Sequence, residues 1–171
     1  MSPFIIVLLL IVGVIVIFNI TMIVLIKIAI KKINAEEANI IETFFSKVNK
    51  IPALVEIMKK YTNHPDIFED ILYLHKLGII YSIKNIYDML ELNSRTHREF
   101  QFLMKLSAKI PELHRDGNFL YIRNYVIFYE NNLEKNINSI NNNFAGYNRL
   151  LKIKNLSILG LLIPYQEKMV F

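Results

Sequence analysis

The sequence predicts an all-α protein: one N-terminal transmembrane helix followed by an antiparallel up-and-down helical bundle. Three observations predict it. From Phe4 to Ile26 no side chain carries a charge. Beyond Lys32, apolar residues recur at steps of three and four, the period of a helix with one buried face. No stretch has the strict alternation of a half-buried strand. A chain of 171 residues accommodates one such domain and an anchor, so residues 1–32 are assigned to the anchor with its basic flank, and 33–171 to the bundle.

The apolar run spans about 34 Å as a helix, enough to cross a hydrocarbon core of about 30 Å. Asn19 and Thr21 are its only appreciably polar members. A cleaved signal would carry basic residues before a shorter apolar stretch, whereas here Lys27, Lys31 and Lys32 follow it. The expectation is a retained single-pass anchor in contact with membrane lipid. Lysines on the C-terminal flank alone orient the bundle toward the cytoplasm.

In the first soluble helix, Ile41, Phe44, Val48, Ile51, Val55 and Met58 form one seam. Pro52 interrupts the run, yet the seam stays in register across it, so one helix is expected to about Thr62. Lys47, Lys50, Lys59 and Lys60 read as a solvated basic face, with adhesion to anionic lipid or an acidic partner as the functional reading. Asn63-His64-Pro65-Asp66 is a turn, and Asp66 with Glu69 has capping-box spacing for a second helix. Leu72, Ile79, Ile83, Ile86 and Leu90 give that helix a face, which Gly78 weakens. Asn93-Ser94-Arg95-Thr96 suggests a bend or restart, after which Phe100, Leu103, Leu106 and Ile110 continue to Pro111. Asp116-Gly117-Asn118 turns into the longest segment, whose face is Phe119, Ile122, Val126, Tyr129, Leu133, Ile140, Phe144, Tyr147 and Leu151. The tail from Asn155, with Gly160 and Pro164, is expected to dock as a short helix and an extended end.

Lys50-Ile51-Pro52-Ala53-Leu54-Val55-Glu56, with Lys59, Tyr61 and His64, resembles the stretch I-P-N-L-V-E-x-V-K-x-Y-x-x-H of the LemA family of bacterial membrane proteins. Pro111-Glu112-Leu113 and Asn118-Phe119-Leu120 resemble the family's Y-P-x-L and N-F-x-x-L. Glu130 falls on its glutamate, Tyr147-Asn148 on its second Y-N, and Tyr165-Gln166-Glu167-Lys168 through Phe171 on its aromatic end. The likeness covers all but the region from about Pro65 to Lys109. Departures are Ile137 for the family arginine, Ile140-Asn141 for the first Y-N, Lys154-Asn155 for F-P and Pro164-Tyr165 for G-F. The resemblance implies a LemA-like fold, an N-terminal membrane helix with an up-and-down bundle, and little about activity.

The composition narrows the chemistry. There is no cysteine, which excludes disulfides, thiolate metal sites and cysteine nucleophiles. The net charge of +5 includes the three flanking lysines, and without them 17 basic residues face 15 acidic ones. That balance argues against nucleic acid. Abundant asparagine reads as a compositional bias. No histidine pair has zinc spacing, no glutamate stands three residues before a histidine as di-iron bundles require, and phosphate-binding glycine patterns are absent. His64, Asp66 and Glu69 read as a helix start rather than metal ligands. No catalytic, cofactor or metal residues are therefore assigned.

The expected function is a non-enzymatic membrane-anchored scaffold or adaptor, presenting helices to a protein partner or to its own copies. The alternative is a ligand-binding or catalytic bundle with a core pocket using Glu56, Glu130, Tyr61 and Tyr147. On the longest helix a second, uncharged line of Tyr121, Tyr125, Phe128, Asn132, Asn136, Ser139 and Asn143 reads either as a flank covered by the neighbouring helix or as a partner seam.

Overall fold

A computed structural model describes residues 2–80, 83, 85–155 and 165–171, without the side chains of Ile79 and Ile80. Among the described residues 86% are helical and none is in a strand. Its helices are α1 (Pro3–Val48), α2 (Ile51–Lys59), α3 (Glu69–Ile80), α4 (Ile86–Ser107) and α5 (Gly117–Lys154). They fall into two compact units: a terminal unit of Met1–Glu36 with Asn138–Phe171, and a central unit of Glu37–Ile137.

The apolar run occupies the first half of α1, and every large side chain from Phe4 to Phe18 is exposed. Its two polar side chains each donate back to the helix. The Asn19 amide donates to the Ile15 carbonyl at 2.7 Å and the Thr21 hydroxyl to that of Ile17 at 2.9 Å.

In the central unit the first seam is confirmed at Phe44, Val48, Ile51, Val55 and Met58, all buried. The helix does not run unbroken to Thr62, however. Asn49 and Lys50 form a turn, and Pro52 sits in the first turn of α2. Proline has no N–H to give the carbonyl four residues back, here that of Val48, and its ring crowds that carbonyl. The break therefore falls where α1 ends. A 3-10 turn at Pro65–Phe68 replaces the expected capping box, without a side-chain capping bond, and α3 starts only at Glu69.

The second interruption also lies elsewhere. Helix α4 passes through residues 93–96 unbroken, and its start is capped by Asn85, whose side chain accepts the Asp88 N–H at 2.9 Å and donates to the Asp88 carboxylate at 2.7 Å. Thr96 is tolerated inside the helix because its hydroxyl donates to the Leu92 carbonyl at 2.8 Å. Helix α3 ends at Ile80 and α4 begins at Ile86, so the expected face is divided between two helices. The buried positions are Ile71 and Leu74 on α3, and Ile86, Met89, Phe100 and Leu103 on α4, whereas Leu72 and Leu90 are half-buried. The Ile79 side chain lies outside the described residues.

Asp116 caps α5 by accepting the N–H groups of Asn118 and Phe119 at 2.9 and 3.0 Å. The predicted α5 face is buried at Phe119, Val126, Leu133, Ile140, Phe144, Tyr147 and Leu151; Ile122 and Tyr129 are only half-buried.

In the terminal unit, residues 165–171 run extended beside α5, held by side-chain amides that imitate peptide groups. Asn148 donates to the Lys168 carbonyl at 2.7 Å and accepts its N–H at 2.9 Å. Asn141 does the same for Phe171 at 3.2 and 3.0 Å. The expected short helix of the tail, with Gly160 and Pro164, lies outside the described residues.

Candidate functional site

The notable polar grouping of the central unit is built from three helices. Asn93, His97 and Gln101 repeat every four residues along one side of α4. Lys47 comes from the last turn of α1, and Glu130 from α5. The Lys47 ammonium donates to the Glu130 carboxylate at 2.7 Å and to the Asn93 carbonyl oxygen. The second Glu130 oxygen meets His97 Nδ1 at 2.8 Å, and Gln101 caps the other ring nitrogen at 2.8 Å. Both carboxylate oxygens are thus engaged by protein groups.

Lys47 is 1% exposed, against 20% for Glu130 and 39% for His97. Burial pushes the Lys47 pKa down, while Glu130 opposes that shift by charge and hydrogen bond. The ammonium also lies 5.5 Å from the centre of the Phe44 ring, within cation–π range. The solvated face expected of Lys47, Lys50, Lys59 and Lys60 is therefore overturned for Lys47. Lys50 instead is half-buried and lies 5.1 Å from the Tyr125 ring, and of the four only Lys59 and Lys60 are exposed.

Beside the cluster opens a cleft of about 330 Å³, lined by His97, Gln101 and Glu130 together with Phe100, Met104 and Ile127. The polar groups proposed for a pocket do not converge on it. Glu56 is exposed on α2. The Tyr61 hydroxyl donates to Asp116 at 3.0 Å, a bond that raises its own pKa. Tyr147 belongs to the terminal unit, where it donates to the Gln166 carbonyl at 3.2 Å and burial raises its pKa. Glu130 alone reaches the cleft. His64, Asp66 and Glu69 are all exposed, and among the described residues no three acidic or histidine side chains are grouped to hold a metal. Comparison with protein-family models, curated proteins and solved structures finds no match.

The uncharged line of α5 does not behave as one face. Tyr121 and Phe128 are exposed, at 67% and 59%. Tyr125 packs on Tyr129 with ring centres 4.6 Å apart. Asn132 and Asn136 are half-buried. Asn143, in the terminal unit, accepts from Lys32 at 3.0 Å and donates to Glu36 at 2.6 Å.

The part of the cluster that sequence reasoning missed is the contribution of α4, Asn93 with His97 and Gln101. Its signal was available, since three hydrogen-bonding side chains at steps of four beside the buried positions Thr96 and Phe100 mark a polar stripe at the edge of a core.

Proposed function

We propose that this chain is a single-pass membrane protein of LemA-like architecture whose helical bundle acts as a cytoplasmic scaffold for a protein partner or a second copy. The observation that carries the reading is the uncovered apolar half of α1: Phe4 to Phe18 present large hydrophobic side chains on every side of the helix. A core helix of a soluble protein would bury them, and in water that surface would drive aggregation. In hydrocarbon it needs no cover, and Asn19 and Thr21 each turn a side-chain donor back onto a carbonyl of their own helix. The scaffold reading is supported by the Lys47–Glu130–His97 cluster, whose charged groups satisfy one another and tie α1, α4 and α5 together. The exposed aromatics Tyr121 and Phe128 supply contact surface.

Two measurements test this. The chain should stay with membranes through alkaline carbonate extraction, and release into the supernatant would refute the anchor. Because the chain lacks cysteine, Tyr121→Cys and Phe128→Cys can be oxidised in native membranes without background. Disulfide-linked species at these sites, and none for Arg149→Cys, support the scaffold; no adduct at either site, with a homobifunctional thiol cross-linker also giving none, refutes it there.

The cleft beside His97 and Glu130 favours a second reading, a small-ligand site that pairs an apolar floor with a carboxylate and an imidazole. A thermal-shift screen of small metabolites separates the two, since one compound that strongly stabilises the wild type but not His97→Ala would support the ligand site.

A further inference from the structure

The two units differ sharply in charge. The central unit holds thirteen basic and thirteen acidic side chains, while the terminal unit holds seven basic and two acidic. The whole net charge of +5 therefore resides in the terminal unit. We propose that the terminal unit carries a basic collar, contributed by α1 and the end of α5, that binds the headgroups of anionic phospholipids where the apolar run leaves the membrane.

The register of the two helices supports this. Asn143 bonds to Lys32 and Glu36. Ala29 shares a small cavity with Gly146 and Leu150, so later residues of α5 meet earlier residues of α1 and the helices are antiparallel. From Asn143 to Lys152, α5 rises about 14 Å, which brings its last turn level with the end of the apolar run. Lys27 and Lys31 on α1, and Arg149 and Lys152 on α5, are all exposed at that level. The acidic side chains of the unit are Glu36, which accepts the Asn143 amide, and Glu167 on the extended tail. Four exposed cations against two carboxylates, one of them engaged by Asn143, border an apolar segment, the arrangement that matches phosphate headgroups anchored in hydrocarbon. Each lysine beside an anionic leaflet corresponds to about a fivefold gain in association.

The inference rests on α1 spanning a bilayer, and the experiment separates the two. The full chain is reconstituted in phosphatidylcholine vesicles, and alkaline extraction first establishes that it is integral. Electron spin resonance then compares spin-labelled phosphatidylglycerol and phosphatidylcholine for the fraction immobilised at the protein. A severalfold preference for phosphatidylglycerol is expected, falling at least about threefold in Lys31→Gln/Arg149→Gln/Lys152→Gln. The control Lys59→Gln/Lys109→Gln/Lys135→Gln, which removes the same charge from exposed positions of the central unit, should leave it unchanged. Equal association of the two lipids overturns the proposal, as does a preference that survives the collar substitutions or falls equally in the control. Full displacement by millimolar glycerol phosphate would mark a site for soluble anions and overturn it too. A chain extracted at alkaline pH would remove the span and the collar together.

Discussion

Truncating Lys47 to alanine separates the energetics of an ion pair from those of an orphaned charge. In the native cluster the ammonium lies 2.7 Å from Glu130. At an effective dielectric of about 20 the attraction at that separation is about 6 kcal/mol. Withdrawing the two ions from water costs several kcal/mol each, so the intact pair contributes little net stability. Lys47→Ala leaves that cost on Glu130 and removes the compensation. Orphaning a fully buried ion costs about 3–5 kcal/mol. Glu130 keeps some exposure and its bond to His97, which brings the expected loss to about 2–3 kcal/mol. For a unit of this size that lowers Tm by about 10 °C or more. Lys47→Met/Glu130→Leu removes both charges and should fall within about 1 kcal/mol of the wild type. Thermal loss of helical ellipticity, followed on the full chain in mild detergent, measures both. A wild-type Tm for Lys47→Ala, or a double variant less stable than the single, would refute the reasoning.

Phe44→Ala removes a fully buried ring and should cost about 3–5 kcal/mol, against no measurable change for Glu56→Ala on the exposed side of α2, in the same melting assay. Gly78→Ala should stabilise by about 0.5–1 kcal/mol, because an added Cβ would lie 3.6 Å from Leu92, 3.8 Å from Val48 and 4.0 Å from Phe44, all ordinary contacts; a lower Tm would contradict this. Asp116 is held below the usual carboxylate range chiefly by the Phe119 N–H, which outweighs the opposing effect of burial, with Tyr61, Asn118 and the charge of Lys60 adding to the lowering. Its contribution is therefore full above the ordinary carboxylate pKa and lost as pH falls through the depressed value. Melting curves recorded from about pH 6 to pH 2 should lose less stability on acidification in Asp116→Ala than in the wild type.

The long elements were legible because their signals are redundant: a 23-residue uncharged run, and apolar seams repeated over many turns. The breaks were less so. The seam from Phe44 to Met58 keeps its phase across the turn at Asn49 and Lys50, so periodicity alone could not locate the interruption that Pro52 imposes. Residues 93–96 look like a break by composition, but Thr96 bonds back to its own helix and Asn93 receives Lys47. Lys47 escapes the pattern for a similar reason. It stands three residues after Phe44 and four before Ile51, squarely on the seam; its charge suggested water, while its position required a partner that only the tertiary fold supplies. Abundant asparagine resembles compositional bias, yet Asn85, Asn141 and Asn148 each make paired, directional bonds.

The burial of Lys47 also makes its amine a built-in reporter of chain opening. Acylating reagents attack unprotonated amines that they can reach, so Lys59 and Lys60 should react at once in the native protein. Lys47, enclosed between Asn93, Glu130 and the Phe44 ring, can react only when α1 separates from α4 and α5. Acylation there is irreversible and leaves a neutral, bulkier side chain that cannot re-form the cluster. Each modification would thus record one opening event, and its rate, read by peptide mass mapping, would time the excursions of the helices without any engineered label.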